Sequence, residues 1–190
     1  MTSNALYKKL QDVFILPSVR RLQQLSRNAS VRPCQLDTEY LTRRTSHLTE
    51  RDKIVLLIID EVYTAQRMEY QNGQLIGLTE DGNKAKTVLA FMVQSIFSKF
   101  KDVVYLAPVE RLNTSQLKSY FDSLLEQLSR FVFVQAVSVD NHVVNRTLYQ
   151  QLCGGMHHSS IEHPCVEGER LFLLFDATHN MKNIFNNWVS

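Results

Sequence analysis

From Lys53 the chain reads KIVLLIIDE, an unbroken aliphatic run from Ile54 to Ile59 that ends in acid. A run without alternation describes a strand buried on both faces near the centre of a sheet. Two later segments repeat the design: FVFVQAVSVD ends at Asp140 and RLFLLFD ends at Asp176. Open α/β sheets gather their ligand-binding groups at the C-terminal ends of such strands. If the strand ending at Asp140 lies beside the one ending at Asp60, the two carboxylates share one crevice although they are far apart in sequence.

The remaining periodicities fill in an α/β domain with a mixed sheet. QLIGLT, flanked by Asn72-Gly73 and Asp81-Gly82, reads as a short strand or hairpin arm. TVLAFMVQSIF and DVVYLAPV, separated by SKFKD, predict paired strands near 87–97 and 102–108. After Asn113, TSQLKSYFDSLLEQLSR places Leu117, Tyr120, Phe121, Leu124 and Leu128 on one helical face, with Asn113 or Thr114 as cap. HVVNRTLYQQLC reads as a helix stopped by Gly154-Gly155, residues 153–169 as a loop, and the stretch after Asp176 as a further helix. Phe91, Phe97, Phe131, Phe133, Phe172 and Phe175 fall in predicted strands and are assigned to core packing.

Before residue 53 the pattern differs. Residues 4–14 have apolar spacing for a helix capped by Asn4, Pro17 interrupts it, and SVRRLQQLSRN forms a second, basic helix. The division that follows is a helix-turn-helix-like segment over 1–29, a linker over 30–53 and an α/β core over 54–190. Residues 1–50 hold eight Lys/Arg against four Asp/Glu, in a chain of net charge +2, so the basic character is concentrated there. Arg20, Arg21, Gln24 and Arg27 suit phosphates and base edges, which makes that helix the candidate DNA reader.

Paired strand-end carboxylates repel one another unless a cation lies between them, and Mg2+ or Mn2+ prefers oxygen ligands. Two such ions can activate an attacking oxygen and stabilise the leaving oxygen in phosphodiester displacement. Asp60 and Asp140 are therefore the candidate metal-binding and catalytic pair, with Asp176 a further possible ligand; the competing reading of each is a turn former or helix cap. Glu61 leaves its strand on the face opposite Asp60 and is set aside.

Other chemistries find little support. Cys153, His157, His158, His163 and Cys165 lack zinc-finger spacing. No Gly-x-Ser-x-Gly occurs, and Gly154-Gly155 lacks the context of a phosphate loop, so GTP binding by this chain is not expected. Three cysteines without tight spacing argue for reduced thiols, and no apolar run reaches a membrane span. A soluble, intracellular protein is expected.

The stretch LLIIDEVYTAQRMEYQNGQLIGL resembles the opening of the RNase H-like domain of P-element-type DNA transposases and their THAP-domain relatives. VSVDNHVVNRTLYQQL is similar to that family's fourth sheet strand and the short, Asn-containing helix after it. FDATHNMKNIFNNW is similar to its fifth-strand signature, and LPSVRRL to the short helix-turn-helix before the nuclease core. The resemblance implies an RNase H-like mixed sheet with flanking helices, with Asp60 and Asp140 as the first two metal-binding acids. It also implies Mg2+ or Mn2+, transposon-end DNA as partner and a nuclear location. In that family a GTP-binding insertion follows the fifth strand and the third acid, a Glu, lies beyond it. The expectation is thus part of a transposase core that is catalytically incomplete alone, partnered by itself or by a missing C-terminal region. The alternative is an inactive, host-adopted module that binds DNA or protein.

Overall fold

The computed structural model describes residues 18, 20, 33–71, 74–156 and 158–189. The chain divides into two compact units, 1–30 and 31–190. Of the first unit only Ser18 and Arg20 are described; Arg20 is helical and exposed. The assignments to Arg21, Gln24 and Arg27 lie outside the described residues.

The second unit is built on a six-stranded sheet with the order β5-β4-β1-β6-β8-β7. Its strands are β1 (Ile54–Tyr63), β4 (Thr87–Ser95), β5 (Lys101–Val109), β6 (Phe133–Val139), β7 (Ser160–Glu162) and β8 (Arg170–Phe175). β2 (Glu69–Gln71) and β3 (Gln74–Ile76) form a separate two-stranded ladder between β1 and β4. β1, β4 and β5 form an antiparallel meander, while β6 runs parallel to both β1 and β8, and β7 closes the far edge antiparallel. The aliphatic run of β1 is explained by this position, because it has a hydrogen-bonded neighbour on each side.

Among the described residues, four helices accompany the sheet: α1 (Thr38–Thr45), α2 (Thr114–Leu128), α3 (Val143–Leu152) and α4 (Ala177–Val189). α2 is capped by Asn113, whose side chain accepts from the Gln116 N–H at 2.9 Å. Its Leu117, Phe121, Leu124, Leu125 and Leu128 join Val55, Leu57, Ile59, Leu89, Phe91 and Val93 in one buried core, with Leu148 and Tyr149 of α3. The Tyr149 hydroxyl lies 3.0 Å from the carbonyls of both Val137 and Leu174, sharing its one proton between β6 and β8.

The structure corrects three of the expectations. The stretch expected as linker holds α1, capped by Asp37, with Leu36 and Leu41 buried in the same core. The Cys34 N–H donates to the Leu106 carbonyl of edge strand β5, and Tyr40 and Arg44 both donate to Asp102, at 2.7 and 2.8 Å. These tertiary partners supply what periodicity does not. β7 lies within the expected loop 153–169. Three of the phenylalanines assigned to the core are exposed, Phe97, Phe172 and Phe175. Phe97 sits just past the end of β4 under the Arg51 guanidinium. Phe172 and Leu174 alternate with the buried Leu171 and Leu173, on the face of β8 turned away from the core.

Candidate functional site

The parallel registers fix the relation of the three acids. Ile59 stands opposite Val139, and Val139 opposite Phe175. One residue further along, Asp60, Asp140 and Asp176 form a row across three adjacent strands: Asp140 and Asp176 directly follow β6 and β8, whereas Asp60 lies within β1, which runs on to Tyr63. The ladder continues to this level, since the Asp176 N–H donates to the Val139 carbonyl at 2.8 Å. At the usual strand spacing, Asp60 and Asp140 are neighbours at about 5 Å between backbones, and Asp176 is about 10 Å from Asp60.

Each carboxylate has a different local setting. Asp60 is exposed, and its Oδ1 accepts the adjacent Glu61 N–H, at 2.9 Å. Asp140 is half-buried and oriented: its Oδ1 accepts the His142 N–H at 3.0 Å and the Asn145 Nδ2 at 2.6 Å. Asn145, in the first turn of α3 and 8% exposed, is thus the residue that aims Asp140. The sequence shows it as an Asn in the helix after the strand, but no sequence pattern marks it as the partner of that acid.

Asp176 is engaged differently. Its Oδ1 accepts the Thr178 and His179 N–H groups, at 2.7 and 3.3 Å, at the start of α4. Its Oδ2 lies 3.4 Å from the His179 Nδ1, a contact close enough for an ion pair with a protonated ring but without hydrogen-bond geometry. These are the hydrogen bonds of a helix cap. Among the described residues no group of three His, Cys, Asp or Glu lies close enough to hold a metal ion. Asp60 and Asp140 suit a hard cation by oxygen chemistry and adjacency; they make a partial ligand set, not a closed cage.

Glu61 is half-buried on the other face of β1. Burial pushes its carboxyl above the usual carboxylate range; the nearby His142 opposes this, and the Asp140 carboxylate adds to it. His163, from the Cys/His-rich stretch, is buried with both ring nitrogens occupied. Its Nδ1 accepts the Cys165 N–H at 3.1 Å, so the ring proton sits on Nε2 and donates to the Val134 carbonyl at 3.1 Å.

A central strand with antiparallel neighbours on one side and parallel neighbours on the other, flanked by helices, is the arrangement of an RNase H-like domain. The family model for the TNP-like, RNase H N-terminal domain matches residues 36–153, and the chain belongs to that family. Among solved structures it is similar to the chain in the Drosophila P element transposase strand transfer complex, with a TM-score of 0.77 and 22% identity. The match covers 100% of this chain and 41% of that one. The Mos1 Strand Transfer Complex also matches, at 13% identity over 78% of this chain and 47% of that one, but its TM-score of 0.27 is too low to indicate a shared fold. No curated protein matches the chain.

Proposed function

We propose that this chain is part of the catalytic core of a DNA transposase, in which Asp60 and Asp140 bind Mg2+ or Mn2+ for cleavage and transfer of DNA phosphodiesters. The observation that carries this reading is the parallel register of β1 and β6, which sets the two acids side by side on a sheet of the P element transposase fold. The bound cation would polarise the phosphate and assist the attacking oxygen. Asp60 offers an exposed carboxylate, and Asn145 holds Asp140 in orientation before any ligand arrives. The DNA ends of a mobile element are the proposed partner, Arg20, Arg21, Gln24 and Arg27 the proposed DNA contacts, and the nucleus the proposed location.

A second reading has its own support. Asp176 caps α4, and no third acid joins the pair among the described residues. That favours a transposase-derived module that binds DNA or protein without cutting. Mn2+-dependent nicking of duplex DNA separates the two, with Asp60→Ala and Asp140→Ala as controls. Nicking lost in both variants supports the nuclease, whereas nicking retained in them removes the assignment. Binding of DNA without nicking by the wild-type chain supports the module.

A further inference from the structure

The last helix of the fold is attached to the domain at one end. Asp176 accepts the Thr178 and His179 N–H groups through its side chain and the Asn180 N–H through its carbonyl, at 3.0 Å. Beyond that first turn, no other element among the described residues packs against α4 to a substantial extent. The helix is thus held by its root.

Its exposed surface is apolar. Met181, Ile184, Phe185 and Trp188 fall at the spacing of a single helical face, and Trp188 is 86% exposed. A helix of 13 residues is marginal in water by itself and gains its stability from packing that face.

Size, charge and spacing select a second copy of the same helix as what covers it. The four side chains expose on the order of 650 Å², so two copies would bury about 1,300 Å², within the low end of specific protein interfaces. Lys182 is the only Lys, Arg, Asp or Glu of α4. A partner chosen by charge finds little to hold there, and two copies bring no row of like charges together. The stripe also complements itself, because Met181 and Trp188 lie equally far on either side of the Ile184–Phe185 step. An antiparallel pair about a two-fold axis therefore sets each Met181, a flexible thioether, against the partner's Trp188 ring. The root fixes the direction: parallel helices would crowd both domains at one end, whereas antiparallel helices keep them at opposite ends.

We propose that two copies of the chain associate through α4, as an antiparallel helix pair with its two-fold axis near Ile184 and Phe185. The small area makes this an association on the order of 10 µM, with the stripe open in dilute solution and covered in concentrated solution. It uses a surface separate from the Asp60–Asp140 pair and does not depend on the nuclease reading.

The test uses the 190-residue chain, in which Trp188 is the only tryptophan and reports on the stripe directly. Sedimentation should show a monomer–dimer equilibrium, and over the same concentrations Trp188 emission should shift to shorter wavelength and become shielded from acrylamide. Ile184→Lys, which places two charges beside the axis, should weaken association about thirtyfold or more and leave Trp188 quenchable. Ile184 is exposed in the single chain, so an unchanged circular dichroism melt of dilute protein shows that the variant folds. Tyr70→Ala, on the exposed β2–β3 ladder, should leave association as in wild type. In a Cys165→Ser background, which removes the exposed native thiol, Met181→Cys mixed with Trp188→Cys should form disulfide dimers faster than either variant alone. A chain that stays monomeric would overturn the proposal: with Trp188 shielded, the stripe folds against its own chain, and with Trp188 quenchable, it awaits a different partner. A dimer that survives Ile184→Lys, or that Tyr70→Ala dissolves, would place the interface elsewhere and overturn it as well.

Discussion

The Asn145 side chain donates to Asp140 from a nearly buried position at the start of α3. Asn145→Ala removes a bond to a charged group and leaves the carboxylate free to rotate, at a cost of about 1 to 2 kcal/mol. The expected outcome is a lower melting temperature together with weaker Mn2+ binding by calorimetry, with Asp60 still in place. His163 gives a prediction in pH. Burial lowers its pKa below the ordinary 6.5, so the folded state resists a proton that the unfolded chain accepts. Its contribution to stability is complete above the unfolded value and is lost as pH falls below it. The urea midpoint of wild type relative to His163→Gln should therefore drop between pH 7.5 and 5.5; a constant difference would place the ring outside the titrating network. Neither residue is legible as such in the sequence, because a hydrogen bond between a strand end and a helix, or between a loop imidazole and β6, has no sequence period.

At the level of elements, buried strands are the most legible part. The runs at 54–59 and 133–139 are continuous because neighbours cover them, the run at 170–175 is continuous although one of its faces is exposed, and the expected pair near 87–97 and 102–108 is β4 and β5. The end of β1 is harder to read: a polar Asp60 suggests a stop, yet the ladder with β4 continues through Tyr63 opposite Thr87. α1 is hidden because one core-facing leucine, Leu41, gives no period. α4 is legible as a helix, but its apolar stripe is not separable by pattern from a buried one. Met181, Ile184, Phe185 and Trp188 follow helical spacing and are 58 to 86% exposed. Replacing Met181, Ile184 and Phe185 by Gln or Lys should reduce binding of a hydrophobic dye while the melting temperature moves little. A large drop in that temperature would mean the stripe is packed in solution.

For the whole molecule, the row of acids depends on topology more than on any motif. The string of residues offers three strand ends; only the order β1-β6-β8 makes them neighbours. The assignment of Asp176 is the part the residue pattern does not decide, since a strand-end Asp that caps a helix and one that binds a cation look alike in a string of letters. The chain spans about two fifths of the length of the P element transposase chain it matches, so the activity of that larger chain stands for this one as a proposal.

The crossover that joins β1 to β6 has a consequence in time. β1 and β4 pair across a short excursion, whereas Ile59 and Val139 must close 80 residues that include α2. Contacts between distant residues carry the greater closure entropy and tend to form later. A refolding chain should thus protect the amides of β4 and β5 before those of β6 and β8, an order that pulsed hydrogen exchange can read. Asp60 and Asp140 come together only with the second group. A cation that bridges them would then act on the finished domain alone, slowing its unfolding while leaving the early meander to form at its own rate.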